Sequence, residues 1–67
     1  MNFEQLFSKY SSYIYNYALK LSCDPSVAED ISQETFLKAW KNKDQLKNEE
    51  AIKCWLRKIC LNTFLMK

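Results

Sequence analysis

The chain contains no glycine and one proline, Pro25. Tight hairpin turns and phosphate-binding loops depend on glycine at fixed positions, so neither is expected here. Apolar residues make up 48% of the 67 positions, too many for a chain that stays disordered. These features predict a single all-α domain. A chain this short buries only about 60% of its unfolded surface, so we expect marginal stability.

The first predicted helix covers about residues 3–21, where apolar side chains recur every three or four positions. Its aromatic residues are assigned to the core and to contacts between helices, with stacking on nucleic-acid bases as the alternative. Tyr13 lies at the edge of the apolar stripe. The stripe consists of Phe3, Leu6, Phe7, Tyr10, Ile14, Tyr17, Ala18 and Leu21.

The second predicted helix covers about residues 25–40, with Asp24 as N-cap and Pro25 at the first helical position. At about 100° per residue it has two different faces. The predicted core face carries Ala28, Ile31, Thr35, Phe36 and Ala39, and the opposite face carries Asp30, Gln33, Glu34, Leu37 and Lys41.

Leu37 is the apolar residue on that otherwise polar face. A leucine among carboxylates and an amide is typical of a surface that docks on a partner. A single surface leucine is also common without any partner. Glu29 and Asp30 fall in the predicted first turn, where carboxylates stabilise a helix through its dipole, so a purely structural role is open as well.

A loop is predicted over residues 42–47, and Asn48 can cap a third helix over about residues 49–66. A helix that is apolar on two sides is either buried on both or leaves one apolar face exposed. Trp55 is assigned to the core, with base stacking as the alternative. The predicted core face carries Ile52, Trp55, Leu56, Ile59, Thr63 and Met66, and a second stripe carries Cys54, Leu61 and Leu65, with Phe64 at its edge.

The net charge of +2 is small, but the two signs are partly segregated along the chain. Such segregation suits a protein that contacts two different partners, and ordinary solvated faces are the alternative. The acidic cluster is Glu29, Asp30 and Glu34, and the basic residues that follow are Lys38, Lys41, Lys43, Lys47, Lys53, Arg57 and Lys58.

The three cysteines, Cys23, Cys54 and Cys60, match no zinc-binding spacing, and the chain has no histidine. We expect them to be buried small hydrophobes in a reducing compartment. No metal or cofactor is expected, and no nucleophile and base converge to suggest an enzyme. Because no signal peptide or membrane span is apparent, the chain is predicted to be cytoplasmic.

Two sequence blocks carry a family resemblance. The first, residues 28–37, reads Ala-Glu-Asp-Ile-Ser-Gln-Glu-Thr-Phe-Leu, and the second, residues 55–62, reads Trp-Leu-Arg-Lys-Ile-Cys-Leu-Asn. Together they resemble region 2 of bacterial sigma factors of the extracytoplasmic-function (ECF) group. The resemblance extends from about Phe3 to Asn62 and implies a compact three-helix domain that takes part in transcription initiation.

The resemblance also implies partners and site residues. The face carrying Asp30, Gln33, Glu34 and Leu37 would dock on the clamp coiled coil of the largest subunit of the RNA polymerase core. The loop at residues 42–48 and the third helix would bind the minus-ten promoter element as a single DNA strand. In that role Asn62 would help to hold an unstacked base, and Lys53, Arg57 and Lys58 would contact phosphates.

The chain departs from the family pattern at its end. Met66 stands where the family usually has an acidic residue, and neither the arginine-rich run nor a second domain for the minus-thirty-five element is present. We therefore expect an isolated or truncated region 2 domain. The alternative is a protein-interaction module without DNA activity, either bound by an anti-sigma factor or acting as a sigma-like decoy. A membrane-surface role is disfavoured because Glu49 and Glu50 open the most basic helix.

Overall fold

The computed structural model of the chain describes residues 3–46 and 48–66. Helix α1 spans Phe3–Ser22, α2 spans Pro25–Lys41 and α3 spans Ile52–Leu65. Two 3₁₀ turns, Lys43–Gln45 and Glu49–Ala51, lie between α2 and α3. These residues include no β-strand, so the all-α, three-helix prediction is confirmed.

The start of α2 forms as the sequence predicts. Asp24 is extended, with φ −143° and ψ 116°, and Pro25 follows in the first turn. The Asp24 Oδ1 atom accepts hydrogen bonds from the backbone N–H groups of Ser26 at 2.9 Å and Val27 at 3.5 Å. These bonds satisfy donors that the first helical turn otherwise leaves unpaired.

The turn between α1 and α2 requires an unusual backbone conformation at Cys23, whose φ is 56°. This left-handed conformation lets the Cys23 N–H donate to the Leu19 carbonyl at 2.8 Å, which closes the end of α1. The Ser22 hydroxyl donates to the Ala18 carbonyl at 2.9 Å. A residue with a Cβ atom is strained here, by about 1–2 kcal/mol, where glycine would not be.

The core is formed by all three helices, which contact one another pairwise. The five residues of α2 predicted to face the core are all buried, so that part of the pattern is confirmed. The buried apolar residues are Leu6, Ile14 and Ala18 of α1, Ala28, Ile31, Phe36 and Ala39 of α2, and Ile52, Leu56 and Cys60 of α3.

Two buried threonines add polar groups to this core. The Thr35 hydroxyl donates to the Ile31 carbonyl at 2.7 Å, and the Thr63 hydroxyl donates to the Ile59 carbonyl at 2.8 Å. Because each hydroxyl bonds to its own helix, neither leaves an unsatisfied donor in the core. Among the described residues, no buried side-chain nitrogen or oxygen lacks a partner.

Several predicted core positions lie at the edge or outside. Met66 is 81% exposed because α3 ends at Leu65, beyond the part packed on the other helices. Phe7 is 44% exposed, although its ring packs on Phe36 with 4.7 Å between centroids. Trp55 is half-buried against the core. The packing predicted for the Phe3 side chain, and any role of Lys47, lie outside the described part of the chain.

The prediction of three buried cysteines is wrong for two of them. Cys23 is exposed because it lies in the turn, and Cys54 is exposed because it lies on the outer side of α3. Cys60 is buried, and burial raises the pKa of its thiol, with a smaller opposing effect from Thr35. In the second stripe of α3, Leu65 is also exposed, so this side of the helix is only partly covered.

Asparagines fix both ends of the connection between α2 and α3. The Asn42 side-chain amide donates to the Lys38 carbonyl at 2.9 Å at the end of α2. The Asn48 Oδ1 atom accepts from the Glu50 N–H at 2.9 Å. The predicted cap at Asn48 therefore forms, but it caps the 3₁₀ turn that leads into α3 rather than α3 itself.

Candidate functional site

The side chains predicted for docking form a single row along α2. Asp30, Gln33, Glu34 and Leu37 follow the spacing of residues on one helical face and extend over about 10 Å of helix. Asp30 and Gln33 are exposed, Glu34 is half-buried, and Leu37 is 55% exposed. We call these four residues the outer row of α2. It lies opposite the buried face of the same helix.

The helix dipole does not account for the carboxylates of this row. The first turn of α2 contains no acidic residue, so the prediction that Glu29 and Asp30 lie in the first turn is wrong. Both follow that turn, and Glu34 comes a further turn along. Because dipole stabilisation falls off within the first turn, the structural explanation of these acidic residues is weakened.

A groove of about 510 Å³ lies beside the outer row, between α2 and the end of α3. Leu37 of α2 and the exposed Met66 supply its apolar surface. The Lys38 ammonium group donates to the Thr63 hydroxyl at 3.2 Å and so ties the two helices together. The groove is lined by Glu34, Leu37, Lys38, Lys41, Thr63 and Met66.

Two of the predicted phosphate contacts lie against tyrosines of α1. The Lys53 ammonium lies 5.4 Å from the centre of the Tyr13 ring, and the Arg57 guanidinium lies 5.4 Å from the centre of the Tyr17 ring. Both distances are typical of cation–π contacts. The phenol groups of Tyr13 and Tyr17 raise the pKa of Arg57 above its ordinary value, and Tyr13 has the larger effect.

The other two predicted DNA contacts, Lys58 and Asn62, are also exposed. They are four residues apart and so share a face, but at about 100° per residue this face is turned away from that of Lys53 and Arg57. The four predicted residues therefore form two separate rows on α3. The row of Lys53 and Arg57 lies next to α1.

Sequence reasoning assigned no role to Trp40, although it is 51% exposed at the end of α2. The Lys43 ammonium lies 4.8 Å from the centre of the Trp40 ring. The basic residues directly after this tryptophan were the signal that could have revealed the pair. An exposed aromatic ring beside a cation is a surface on which an unpaired base can stack.

The described residues include no group of three or more histidine, cysteine or acidic side chains placed to hold a metal ion. None of the three helices combines the length and the apolar character that a membrane span requires, as far as the described residues extend. The candidate functional features of the described residues are the outer row of α2, its groove, and the basic and aromatic side chains of α1, α3 and the connecting loop.

Comparison with known proteins identifies the family. The model of Sigma-70 region 2 matches residues 6–67. The chain is 28% identical over 65 residues to the ECF RNA polymerase sigma factor SigM of Bacillus subtilis, covering 97% of this chain and 39% of that protein. It is 30% identical over 61 residues to the ECF RNA polymerase sigma factor SigL of Mycobacterium tuberculosis, covering 90% of this chain and 34% of that protein. No solved structure matches the chain.

The chain belongs to the Sigma-70 region 2 family, since the match covers nearly all of it. Within that family it is a region 2 domain of the ECF group, as its named relatives indicate. It is also 31% identical over 61 residues to the RNA polymerase sigma-H factor of Pseudomonas aeruginosa, covering 91% of this chain and 32% of that protein. The chain thus spans about a third of the length of these relatives.

Proposed function

We propose that this domain takes part in transcription initiation by docking on the RNA polymerase core through the outer row of α2. The observation that carries the proposal is the exposure of Leu37, 55%, between polar side chains on the face opposite the buried one. An aliphatic anchor surrounded by polar groups is the arrangement found at the centre of many protein interfaces.

The charge of the outer row supports a basic partner surface. Asp30 and Glu34 carry carboxylates and Gln33 carries an amide on the same face. Carboxylates form charge-assisted hydrogen bonds with arginine or lysine, which are roughly twice as strong as neutral ones. The clamp coiled coil of the largest polymerase subunit is the partner that the family resemblance implies for this row.

Charge reversal on the outer row tests the docking proposal. Glu34→Lys should reduce capture of bacterial core RNA polymerase by the immobilised domain, because the new ammonium group would face a basic partner. Glu50→Lys is the matched control, since Glu50 is exposed and lies in the 3₁₀ turn before α3, outside the outer row of α2. Equal capture of polymerase by the Glu34→Lys variant and the unmodified domain would count against the docking surface.

We also propose that α3 and the loop before it contact single-stranded promoter DNA at the minus-ten element. Lys53, Arg57 and Lys58 are exposed cations, and Asn62 is an exposed amide on the same helix. Positive charge along the strand and a polar group for base edges are what single-strand binding requires. Trp40 beside Lys43 adds an aromatic surface near the loop.

Fluorescence anisotropy with promoter and scrambled single strands, in the presence of core polymerase, tests the DNA contacts. Arg57→Ala should weaken binding to both strands and reduce the dependence on salt, by about 0.7 in the log–log slope for each phosphate that the variant no longer neutralises. Asn62→Ala should instead reduce the preference for the promoter strand. Equal binding of the two strands by the unmodified domain would exclude sequence recognition.

A protein-interaction module without DNA activity, bound by an anti-sigma factor or acting as a decoy, is a second candidate. The observation in its favour is the apolar end of α3, where Leu65 is 67% and Met66 is 81% exposed. Apolar surface of this kind commonly marks a protein contact. This candidate predicts polymerase binding without any preference for promoter DNA, so the same anisotropy experiment separates the two.

A further inference from the structure

The tyrosines of α1 and the cations of α3 form one continuous surface. The Lys9 ammonium lies 5.5 Å from the centre of the Tyr10 ring, and the Tyr10 and Tyr13 rings meet edge to face with 6.4 Å between centroids. Lys53 continues the surface over Tyr13, and Arg57 over Tyr17. We call this surface the cation–tyrosine face; it comprises Lys9, Tyr10, Tyr13, Tyr17, Lys53 and Arg57.

All charged side chains of the cation–tyrosine face are positive. Helix α1 contains a single acidic residue, Glu4 at its start, and α3 contains none. The Lys53 and Arg57 side chains are exposed, so their ring contacts leave the outer side of each cation open to solvent. A cation held over a ring keeps its charge and loses rotational freedom, which favours contact with a second, anionic group.

We infer that Tyr13 and Tyr17 are positioning residues that hold Lys53 and Arg57 in place for the phosphates of a single nucleic-acid strand. This inference rests on the DNA contacts proposed for α3 and extends the binding surface onto α1. The eight residues from Tyr10 to Tyr17 cover about 10 Å of helix, and nucleotides are spaced by about 3.4 Å along one strand of a duplex. Because an unstacked single strand is more extended than a strand of a duplex, the face has room for at most about three nucleotides.

This role differs from the one that the sequence pattern predicts for these tyrosines. The sequence pattern assigned Tyr17 to the apolar stripe and Tyr13 to its edge; both are half-buried against the core, and each also carries a cation on its ring. A packing role requires an apolar side chain of similar size. A positioning role requires an aromatic ring, because the cation is held by the electrons of the ring face. Leucine and phenylalanine substitutions separate these two requirements.

Binding of a fluorescein-labelled strand of twenty thymidines to the 67-residue chain, measured by anisotropy at low salt, tests the inference. Tyr13→Leu and Tyr17→Leu should each weaken binding about two- to fivefold, the contribution of an exposed cation–π contact. Tyr13→Phe and Tyr17→Phe keep the ring and remove the phenol oxygen that also acts on Arg57, so each should weaken binding less than the corresponding leucine variant does. Thermal melting by circular dichroism shows whether each variant folds. If a leucine variant does not fold, binding by the corresponding phenylalanine variant still tests the inference.

Tyr15→Leu is the matched control. Tyr15 is a half-buried tyrosine of the same helix, but it lines a groove with Ser32 and Gln33 of α2 instead of approaching α3. Its replacement should leave binding of the strand unchanged. A loss equal to that of Tyr17→Leu would show that the effect is a general loss of packing, which would overturn the inference.

A double variant distinguishes positioning from direct stacking. If Tyr17 acts through Arg57, then Tyr17→Leu should cause no further loss once Arg57→Ala is present. A loss of about tenfold or more that adds to that of Arg57→Ala would mean that a base stacks on the ring itself, and positioning would be wrong. Normal binding by both tyrosine-to-leucine variants, with weaker binding by Lys53→Ala and Arg57→Ala, would overturn the inference and leave the proposed function intact. Absence of binding by the unmodified chain would overturn the inference, whereas the proposed function is tested separately by the promoter strand in the presence of core polymerase.

Discussion

Leu56 gives the most direct test of how this small core is held together. Its side chain is completely buried between the helices, at 0% exposure. Replacing a buried leucine by alanine removes its transfer free energy and leaves a cavity, at a cost of about 2–5 kcal/mol. A domain of this length has a total stability of about 3–10 kcal/mol. Leu56→Ala should therefore remove a large part of the stability.

The same substitution at Leu37 is the matched comparison, because this leucine is 55% exposed. Surface substitutions usually change stability by no more than about 0.5 kcal/mol. With about 4–8 °C in Tm for each kcal/mol in a domain of this size, Leu56→Ala should lower Tm by about 8–40 °C and Leu37→Ala by less than about 4 °C.

Thermal unfolding followed by the helical signal in circular dichroism provides the measurement, because small single domains usually unfold in one cooperative transition. Leu56→Met keeps the side-chain volume and should cost less than about 1.5 kcal/mol, so it remains measurable if Leu56→Ala is unfolded at room temperature. Equal decreases of Tm at Leu56 and Leu37 would refute the assignment of one residue to the core and the other to the surface.

Three further predictions concern the local structure. Asp24→Ala removes the cap that accepts from Ser26 and should cost about 1 kcal/mol, seen as a lower Tm; an unchanged Tm would show that the cap contributes nothing. Cys23→Gly relieves the left-handed strain and should raise stability by up to about 1 kcal/mol in urea unfolding, whereas a decrease would show that the turn is not strained. Because burial raises the pKa of Cys60, the stability linked to this thiol is complete below its ordinary pKa of about 8.5 and is lost as pH rises through the higher folded pKa. Cys60→Ala should therefore flatten the alkaline fall in unfolding free energy, measured by urea unfolding at a series of pH values, and an unchanged fall would contradict this linkage.

The helical part of the fold follows from the sequence because local rules determine it. The period of about 3.6 residues identifies the buried face of α2, since only that spacing keeps Ala28, Ile31 and Thr35 on one side. Asp24 and Pro25 mark the start of this helix because few residues suit a cap and a first turn. These features depend on neighbours in the chain and can be predicted without the tertiary structure.

The errors arise where distant parts of the chain decide the outcome. Met66 continues the apolar repeat of α3 but lies beyond the part of the helix that packs on the other helices. The repeat by itself does not show where that packing ends. The contacts of Lys53 with Tyr13 and of Arg57 with Tyr17 depend on the register between α3 and α1. Such a register is set by how the complete core packs, so the sequence pattern assigned Tyr17 to the apolar stripe, Tyr13 to its edge and the cations to the surface without pairing them.

The docking of the outer row of α2 on RNA polymerase is the central claim, and the affinity of the Leu37→Ala variant for the core enzyme tests it most directly. Leu65→Ala is the matched control, because Leu65 is an exposed leucine on a different helix. The docking proposal predicts that Leu37→Ala binds about fivefold more weakly or worse, as truncation of a central anchor costs more than about 1 kcal/mol, while Leu65→Ala binds normally. Normal binding by Leu37→Ala in a titration with core enzyme, or an equally weakened affinity for Leu65→Ala, would contradict it.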